Sequence, residues 1–309
     1  MSNEKSIIVE SILITGANGF LGSHLAQFFQ KNHAKIYGIS HGNSINPEVE
    51  QIHDDILSVE TLPSDVSTIL HFAALTDIPF CENNPDKCFE INVDGTKNML
   101  ELARKNDSRF IFASSSHVYG KPDSIPIDEN FPLKPLSIHA KSKVKAESIC
   151  EEYAKLYGLK ILIIRTFSIY GSNSPSYSII SRIINQILSQ EKIVLGNIKA
   201  KRDFLHVSDF LSAMDILIQN NFSGCSKFNV GYGKSFAIQE LCEKLLEISY
   251  ENLSIKSNPN LIRDNEIDEL ICNNLKLKKL GWIPKLSIDE GLTDVFHWFK
   301  SKSKNTTYS

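Results

Sequence analysis

The octapeptide Thr15-Gly16-Ala17-Asn18-Gly19-Phe20-Leu21-Gly22 constrains this chain more than any other feature. It follows a short apolar run, Ser11 to Thr15, and opens a stretch of helical spacing, Leu21 to Lys31. Gly16 allows a sharp turn out of a strand, Gly19 lets backbone N–H groups come close to a ligand, and Gly22 lets the helix lie against the sheet. A helix N-terminus at the end of such a turn gathers unsatisfied N–H groups and positive potential, which suits a pyrophosphate. Asn18, Phe20 and Leu21 complete the same candidate binding surface. A turn that is glycine-rich for folding reasons alone is the competing explanation, and the strand before and helix after weigh against it.

The rhythm continues through the first two thirds of the 309 residues. Lys35 to Ile39, Thr68 to Phe72, Arg109 to Ala113 and Lys160 to Arg165 read as strands; Pro85 to Lys105 and His139 to Tyr157 have helical spacing between them. Alternating strands and helices give an α/β fold with a parallel sheet. After Tyr170 the pattern breaks at Gly171 to Ser176, so residues 1–170 are expected to form a dinucleotide-binding domain to which later segments return. Residues 171–300 are expected to form mainly a substrate-binding lobe with helices at Ser208 to Gln219, Phe236 to Ile248 and Ile288 to Lys300. The polar stretch 301–309 reads as a disordered tail.

Composition narrows the class. A net charge of -3 with no clustered Lys/Arg excess argues against a nucleic-acid partner. Six cysteines without a CxxC pair, and no His cluster at zinc spacing, read as structural thiols in a reducing compartment with no metal centre. Met1 to Glu10 has no signal-peptide pattern and no apolar run reaches a membrane span, so a cytoplasmic protein with no membrane partner is expected.

At the end of the second strand, an enzyme specific for NAD sets a carboxylate against the adenosine ribose hydroxyls. The segment Ile39-Ser40-His41-Gly42-Asn43 has no acid there to repel a 2′-phosphate, and Ser40 and His41 offer a hydroxyl and an imidazole. NADP is therefore favoured, with NAD as the alternative because no arginine accompanies them. Asp55-Ile56 is a candidate for the adenine pocket, against a solvated turn.

With the glycine loop in place, the chain resembles the NAD(P)-dependent epimerase/dehydratase family of extended short-chain dehydrogenases. The likeness is carried by His71-Phe72-Ala73-Ala74, Asn92-Val93-Asp94-Gly95-Thr96, Ser114-Ser115-Ser116-His117-Val118-Tyr119-Gly120, Arg165 with Tyr170-Gly171, Arg202-Asp203-Phe204 with Asp209, and Leu280-Gly281-Trp282-Ile283-Pro284. It implies a Rossmann-type doubly wound sheet with a smaller C-terminal lobe, Ala73 and Ala74 beside the cofactor, and Thr76, Ser116, His117 and Tyr119 on the substrate side. The family's catalytic Ser/Thr falls on Ser115. Dehydratases of the family carry Asp-Glu where this chain has Ser116 and His117, which argues against dehydration.

The YxxxK motif departs from the family pattern. Lys143 is in register, but His139 stands in the tyrosine's place, one helical turn away. Three readings stay open: His139 is the acid of a one-way reductase; His139 is structural and Tyr119, His117 or a water transfers the proton; or catalysis is lost and the fold binds a ligand.

The segment from Leu195 to His206 resembles that of GDP-mannose dehydratases and GDP-4-keto-sugar reductases, which implies that Arg202 contacts the diphosphate. Arg263 is a second candidate clamp, with a surface arginine as the alternative, and Asn173 is a candidate substrate contact. Together these favour NADPH-dependent reduction of the C4 keto group of a GDP-linked deoxyhexose or heptose in bacterial surface polysaccharide synthesis, capsule or lipopolysaccharide. An NAD-retaining nucleotide-sugar epimerase and a non-catalytic NADP or nucleotide-sugar binder are the alternatives. The resemblance also implies a homodimer.

Overall fold

Strands whose every residue is apolar or hydrogen-bonded inward can only lie in a sheet covered on both faces. The first strand, β1 (Ser11–Thr15), is buried throughout. The computed structural model describes residues 11–31, 34–40, 46–262 and 266–306. After β1 come α1 (Phe20–Lys31), β2 (Lys35–Ile39), β3 (Glu50–Ile52), β4 (Thr68–His71), α2 (Ile78–Asn83) and α3 (Pro85–Phe89). A π turn, Glu90–Asp94, leads into α4 (Gly95–Asn106), then β5 (Arg109–Ser115), a 3-10 turn at Ser116–Tyr119, α5 (Ile138–Tyr157) and β6 (Ile161–Thr166). The chain continues as β7 (Ser168–Tyr170), α6 (Ile179–Leu188), β8 (Ile193–Leu195), β9 (Lys201–His206), α7 (Val207–Gln219) and β10 (Cys225–Val230). It ends with β11 (Ser235–Ala237), α8 (Ile238–Ser249), β12 (Ile255–Ser257), α9 (Leu275–Lys278) and α10 (Ile288–Thr306).

Two compact units result. The first holds the described residues up to Gly120, Glu129–Thr166 and Leu211–Val230. Its sheet has the order β10-β6-β5-β4-β1-β2-β3, and every pairing is parallel. Strand order reverses between β1 and β4, so this is a Rossmann-type doubly wound sheet, whose ligand crevice lies outside the carboxyl ends of its strands. The register sets Thr15 level with Ile39 and His71, and Ser115 level with Thr166, so the candidate residues gather at that edge. Leu13, Met99, Leu100, Phe110, Phe112, Ala146, Cys150 and Ile161 belong to the core beneath them.

Two buried polar networks pin this unit. In the first, the Thr96 hydroxyl donates to Asn92 O at 2.7 Å and therefore accepts from His71 Nε2 at 3.0 Å. His71 Nδ1 then accepts from the Thr15 hydroxyl at 2.8 Å, whose oxygen takes the N–H groups of Phe72 and Ala73 at 3.1 Å each. One tautomer satisfies every group.

The second network centres on Arg165 and Glu147, each 1% exposed. The guanidinium grips the carboxylate through Nε at 3.0 Å and Nη2 at 2.7 Å, while Nη1 reaches Tyr119 Oη and Glu129 O at 3.0 Å each. Ser114 Oγ donates to the same carboxylate at 2.5 Å, and Tyr119 Oη donates to Asn229 Oδ1 at 2.6 Å. These bonds fasten α5 to β5, β6 and β10.

The second unit comprises Lys121–Asp128, Phe167–Phe210 and the described residues from Gly231 onward. It holds a three-stranded sheet, β11-β9-β7, and a parallel pair, β12-β8. The apolar face of α6 packs Ile180, Ile183, Ile184 and Ile187 with Leu241, Leu245, Leu292 and Phe296. The Asp203 carboxylate collects the N–H groups of Tyr232, Gly233 and Cys272 at 2.6, 2.8 and 3.0 Å. Asp209 accepts from the Lys285 and Leu286 amides, and its backbone carbonyl from the Trp282 indole.

Several element ends differ from the sequence reading, two of them at the start and the end of late helices. Phe236 lies in β11, and the helix expected from it starts at Ile238. The stretch read as a disordered tail is helical as far as Thr306, since no proline or glycine interrupts α10 after Lys300 and Ser301 and Ser303 return their hydroxyls to the Trp298 and Lys300 carbonyls. Residues 307–309 lie outside the described residues. Among the described residues no helix is long and apolar enough to cross a membrane.

Replacing Glu147 by leucine strands a guanidinium in the core. Glu147→Leu is expected to cost about 3–5 kcal/mol, read as a lower urea midpoint; a change below about 1 kcal/mol would mean that the pair does not hold α5.

Candidate active site

The glycine loop forms because a side chain has nowhere to go. Gly16 has φ of +71°, and a Cβ there would lie 3.0 Å from Ala73 N; a Cβ on Gly22 would lie 2.1 Å from Gly16 O. Gly16 N–H bonds Ile39 O at 2.8 Å. The Gly19 amide closes the turn on Gly16 O at 2.8 Å, so it is not itself one of the outward donors. The outward donors are the first-turn amides of α1, Phe20, Leu21 and Gly22, which have no acceptor within the helix. Asn18 is partly exposed beside them.

The other candidate cofactor contacts are unequal. Ser40 follows β2, with its hydroxyl oxygen accepting from Gln51 Nε2 at 3.1 Å. His41 lies outside the described residues. Asp55 is engaged in a turn, its carboxylate taking the Leu57 amide at 2.8 Å. The Ile56 side chain belongs to the core and packs under Gly95, where an added Cβ would come within 2.6 Å of its Cδ1. Ala73 and Ala74 are partly exposed after β4, and Thr76 is exposed beyond them.

This loop is held by a residue whose role the sequence reading missed. Asn92 Oδ1 accepts the Leu75 amide at 2.8 Å, while its Nδ2 donates to Leu75 O at 3.0 Å and to Ser142 Oγ on α5 at 2.9 Å. The π turn aims that side chain inward, as single π turns at functional sites do. Glu147 was missed likewise, although its place one turn beyond Lys143 was the available signal.

At the end of β5, Ser115 caps the 3-10 turn by accepting the His117 amide at 3.2 Å. Its hydroxyl proton is not spent on any described residue, so it is free to be donated. Ser116 is buried, and His117 partly exposed. Tyr119 is buried: desolvation pushes its phenol up to about 12, and its oxygen is held by Arg165 and Asn229 in the core network.

Ser137 Oγ caps α5 by accepting the Ala140 amide at 3.1 Å, which brings His139 and Lys143 to the buried face one turn apart. Lys143 Nζ donates to Ala113 O at 2.7 Å and lies 4.8 Å from the Phe112 ring centroid. Burial lowers its pKa from 10.5 to about 8. His139 is 5% exposed, and both ring nitrogens are buried with no hydrogen-bond partner. Burial first, then the Lys143 and His117 charges, lower its pKa to about 3, in the direction that a helix N-terminus also favours. The His117 ring stands edge-on to it, 6.4 Å between centroids. Of the groups considered beside His139, Tyr119 is bound into the core network and His117 is partly exposed.

In the second unit, Arg202 on β9 donates from Nη2 to Glu266 Oε1 at 3.0 Å and from Nη1 to Lys201 O at 2.8 Å. Asn173 is exposed at φ of +60°, a conformation that asparagine tolerates in turns. Arg263 lies outside the described residues.

Comparison with known proteins agrees with this geometry. Residues 12–231 match the model of the NAD dependent epimerase/dehydratase family. A putative UDP-glucose 4-epimerase of Methanocaldococcus jannaschii is 32% identical over 95% of this chain and 99% of its own. The GDP-6-deoxy-D-mannose reductase of Pseudomonas aeruginosa is 28% identical over 96% and 99%. The solved UDP-glucose 4-epimerase of Thermus thermophilus in complex with NAD superposes with a TM-score of 0.84, at 23% identity over 94% of this chain and 99% of that one. The chain belongs to the NAD dependent epimerase/dehydratase family, the nucleotide-sugar-modifying branch of the extended short-chain dehydrogenases.

Proposed function

We propose that this protein reduces the C4 keto group of a GDP-linked deoxyhexose or heptose with NADPH. The observation that carries the reading is His139, a buried imidazole with two unpartnered nitrogens in the slot of the family's acid/base, one turn from Lys143. A buried polar group left without a partner costs stability, and such groups persist where a ligand completes them. The first-turn amides of α1 and the glycine cradle fit a dinucleotide's pyrophosphate, and Ser40 sets no carboxylate against a 2′-phosphate. With Ser116 and His117 in place of acids, the elimination of water has no carboxylate pair to drive it.

When bound, the cofactor supplies hydride to the carbonyl carbon. Ser115 donates its hydroxyl hydrogen to the carbonyl oxygen and steadies the charge that develops there. The C=O π pair moves onto that oxygen, and a ring N–H of His139 delivers the proton that makes the alcohol. Lys143 holds the nicotinamide ribose and keeps positive potential near the oxygen. In the second unit, Arg202 exchanges Glu266 for the diphosphate of the sugar nucleotide, since two phosphate oxygens match its planar fork better than one carboxylate oxygen. The Pseudomonas reductase supports the GDP-sugar reading; the Methanocaldococcus relative favours a second one, an epimerase that retains NAD.

Cofactor use separates the two. Initial rates with a GDP-4-keto-6-deoxyhexose are expected to be higher with NADPH than with NADH. Equal rates, or NAD carried through purification, would turn the assignment to the epimerase. His139→Phe is expected to lower turnover at least about tenfold, and unchanged turnover would move proton delivery elsewhere.

Lys143→Met should uncouple stability from activity. Between pH 8 and 10.5 the unfolded chain binds a proton at Lys143 that the folded protein lacks, so the wild type gains stability as pH rises through that window. The variant should lack that gain, melt a few degrees higher at pH 7 and bind NADPH more weakly; a lower melting point would show that the ammonium is compensated.

A further inference from the structure

A carbonyl reduction takes a proton from its donor at every turnover, and a donor as buried as His139 needs a route by which the proton returns. The titratable groups packed around it are few. On its own helix, Lys143 has Nζ bound to Ala113 O at 2.7 Å. From α2, the Glu82 carboxylate accepts the Ile138 amide at 2.8 Å and the Cys81 thiol faces Leu75 O at 3.8 Å. From α3, the Cys88 thiol faces Ser142 Oγ at 3.7 Å. Following β5, His117 stands edge-on to His139 with 6.4 Å and 76° between the rings, and it is both partly exposed and titratable. Its backbone is fixed by Ser115 Oγ, the same atom that would polarise the substrate oxygen.

We propose that His117 is the relay that returns protons to His139, so that the two imidazoles form a conduit from solvent to the substrate oxygen. The inference rests on the reductase reading and names the group that sustains it. At a centroid separation of 6.4 Å the ring nitrogens stay outside direct hydrogen-bond reach, so the relay requires one water to enter between them. His117, as the imidazolium, gives its N–H proton to that water, and the water gives one of its own to the unprotonated nitrogen of His139. The N–H on the other nitrogen of His139 breaks toward the substrate alkoxide, which becomes the hydroxyl. His117 is left neutral and reloads from solvent; His139 ends neutral, its tautomer exchanged. A ring with two nitrogens passes a proton without holding a charge, which suits a site where desolvation disfavours the imidazolium.

His117→Gln keeps a polar side chain of similar size and removes the shuttle. The expected result is a fall in kcat of at least about tenfold, with NADPH affinity unchanged, and recovery of turnover on adding imidazole. On the wild type, a proton inventory in mixed H2O and D2O should curve, because several protons move together. Unchanged kcat in the variant, a loss that imidazole does not repair, or a linear inventory would overturn the relay. Failure of the reductase reading shows separately, as a wild type that oxidises no NADPH with any keto sugar. The relay is then decided in the resting protein: nitrogen-15 histidine spectra should show proton exchange at the His139 ring slowed about tenfold in His117→Gln, whereas unslowed exchange rules it out.

Discussion

The bidentate pair between Glu147 and Arg165 is the constraint on which the site depends. Near its start α5 carries an ammonium and an imidazole that are both desolvated, and neither repays its burial with a full set of hydrogen bonds. The helix has to be held down by its later turns, through Ala146, Cys150 and Ala154 in the core and the ion pair one turn past Lys143. A buried pair contributes little net stability over apolar residues of the same size, but its geometry is exacting. Only one register of α5 against β5 and β6 lets Glu147 meet Arg165 Nε, Arg165 Nη2 and Ser114 Oγ together, and that register sets Lys143 against Ala113 O.

Ser114 and Ser115 point to opposite fates because successive residues of a strand face opposite sides of the sheet. Ser114 is buried against Glu147, and Ser115 is left partly exposed to cap the next turn. Ser115, the proposed catalytic serine, is thereby tied to the same anchor as the lysine, although no bond joins them. In this way the two elements that carry the proposed site are aligned by a buried network.

The sheet was readable because its strands are short apolar runs between polar turns, and the glycine loop because glycine is the only residue that fits at Gly16 and Gly22. What sequence hid was the direction of individual groups. Nothing in the spacing said that the Gly19 amide turns back onto its own loop, or that Tyr119, two residues after His117, faces Arg165. Periodicity reports which face a residue takes and not which partner it finds there. The packing of Ile56 was hidden for a related reason: an apolar residue beside an aspartate looks the same in a pocket wall and in a core, and the missing Cβ of Gly95 above it is seen only in the fold. The end of α10 escaped because serine and lysine are common both in tails and in solvated helices.

The grip of Asn92 on Leu75 reaches further than one hydrogen-bonded pair. A peptide segment clasped at both its N–H and its C=O, and tied through the same amide to Ser142, has lost the torsional freedom that surface loops ordinarily keep. The loop after β4 is therefore a fixed wall. A ligand that meets Ala73, Ala74 or Thr76 must match its contour, and selection at that point is made by shape already cast before anything binds.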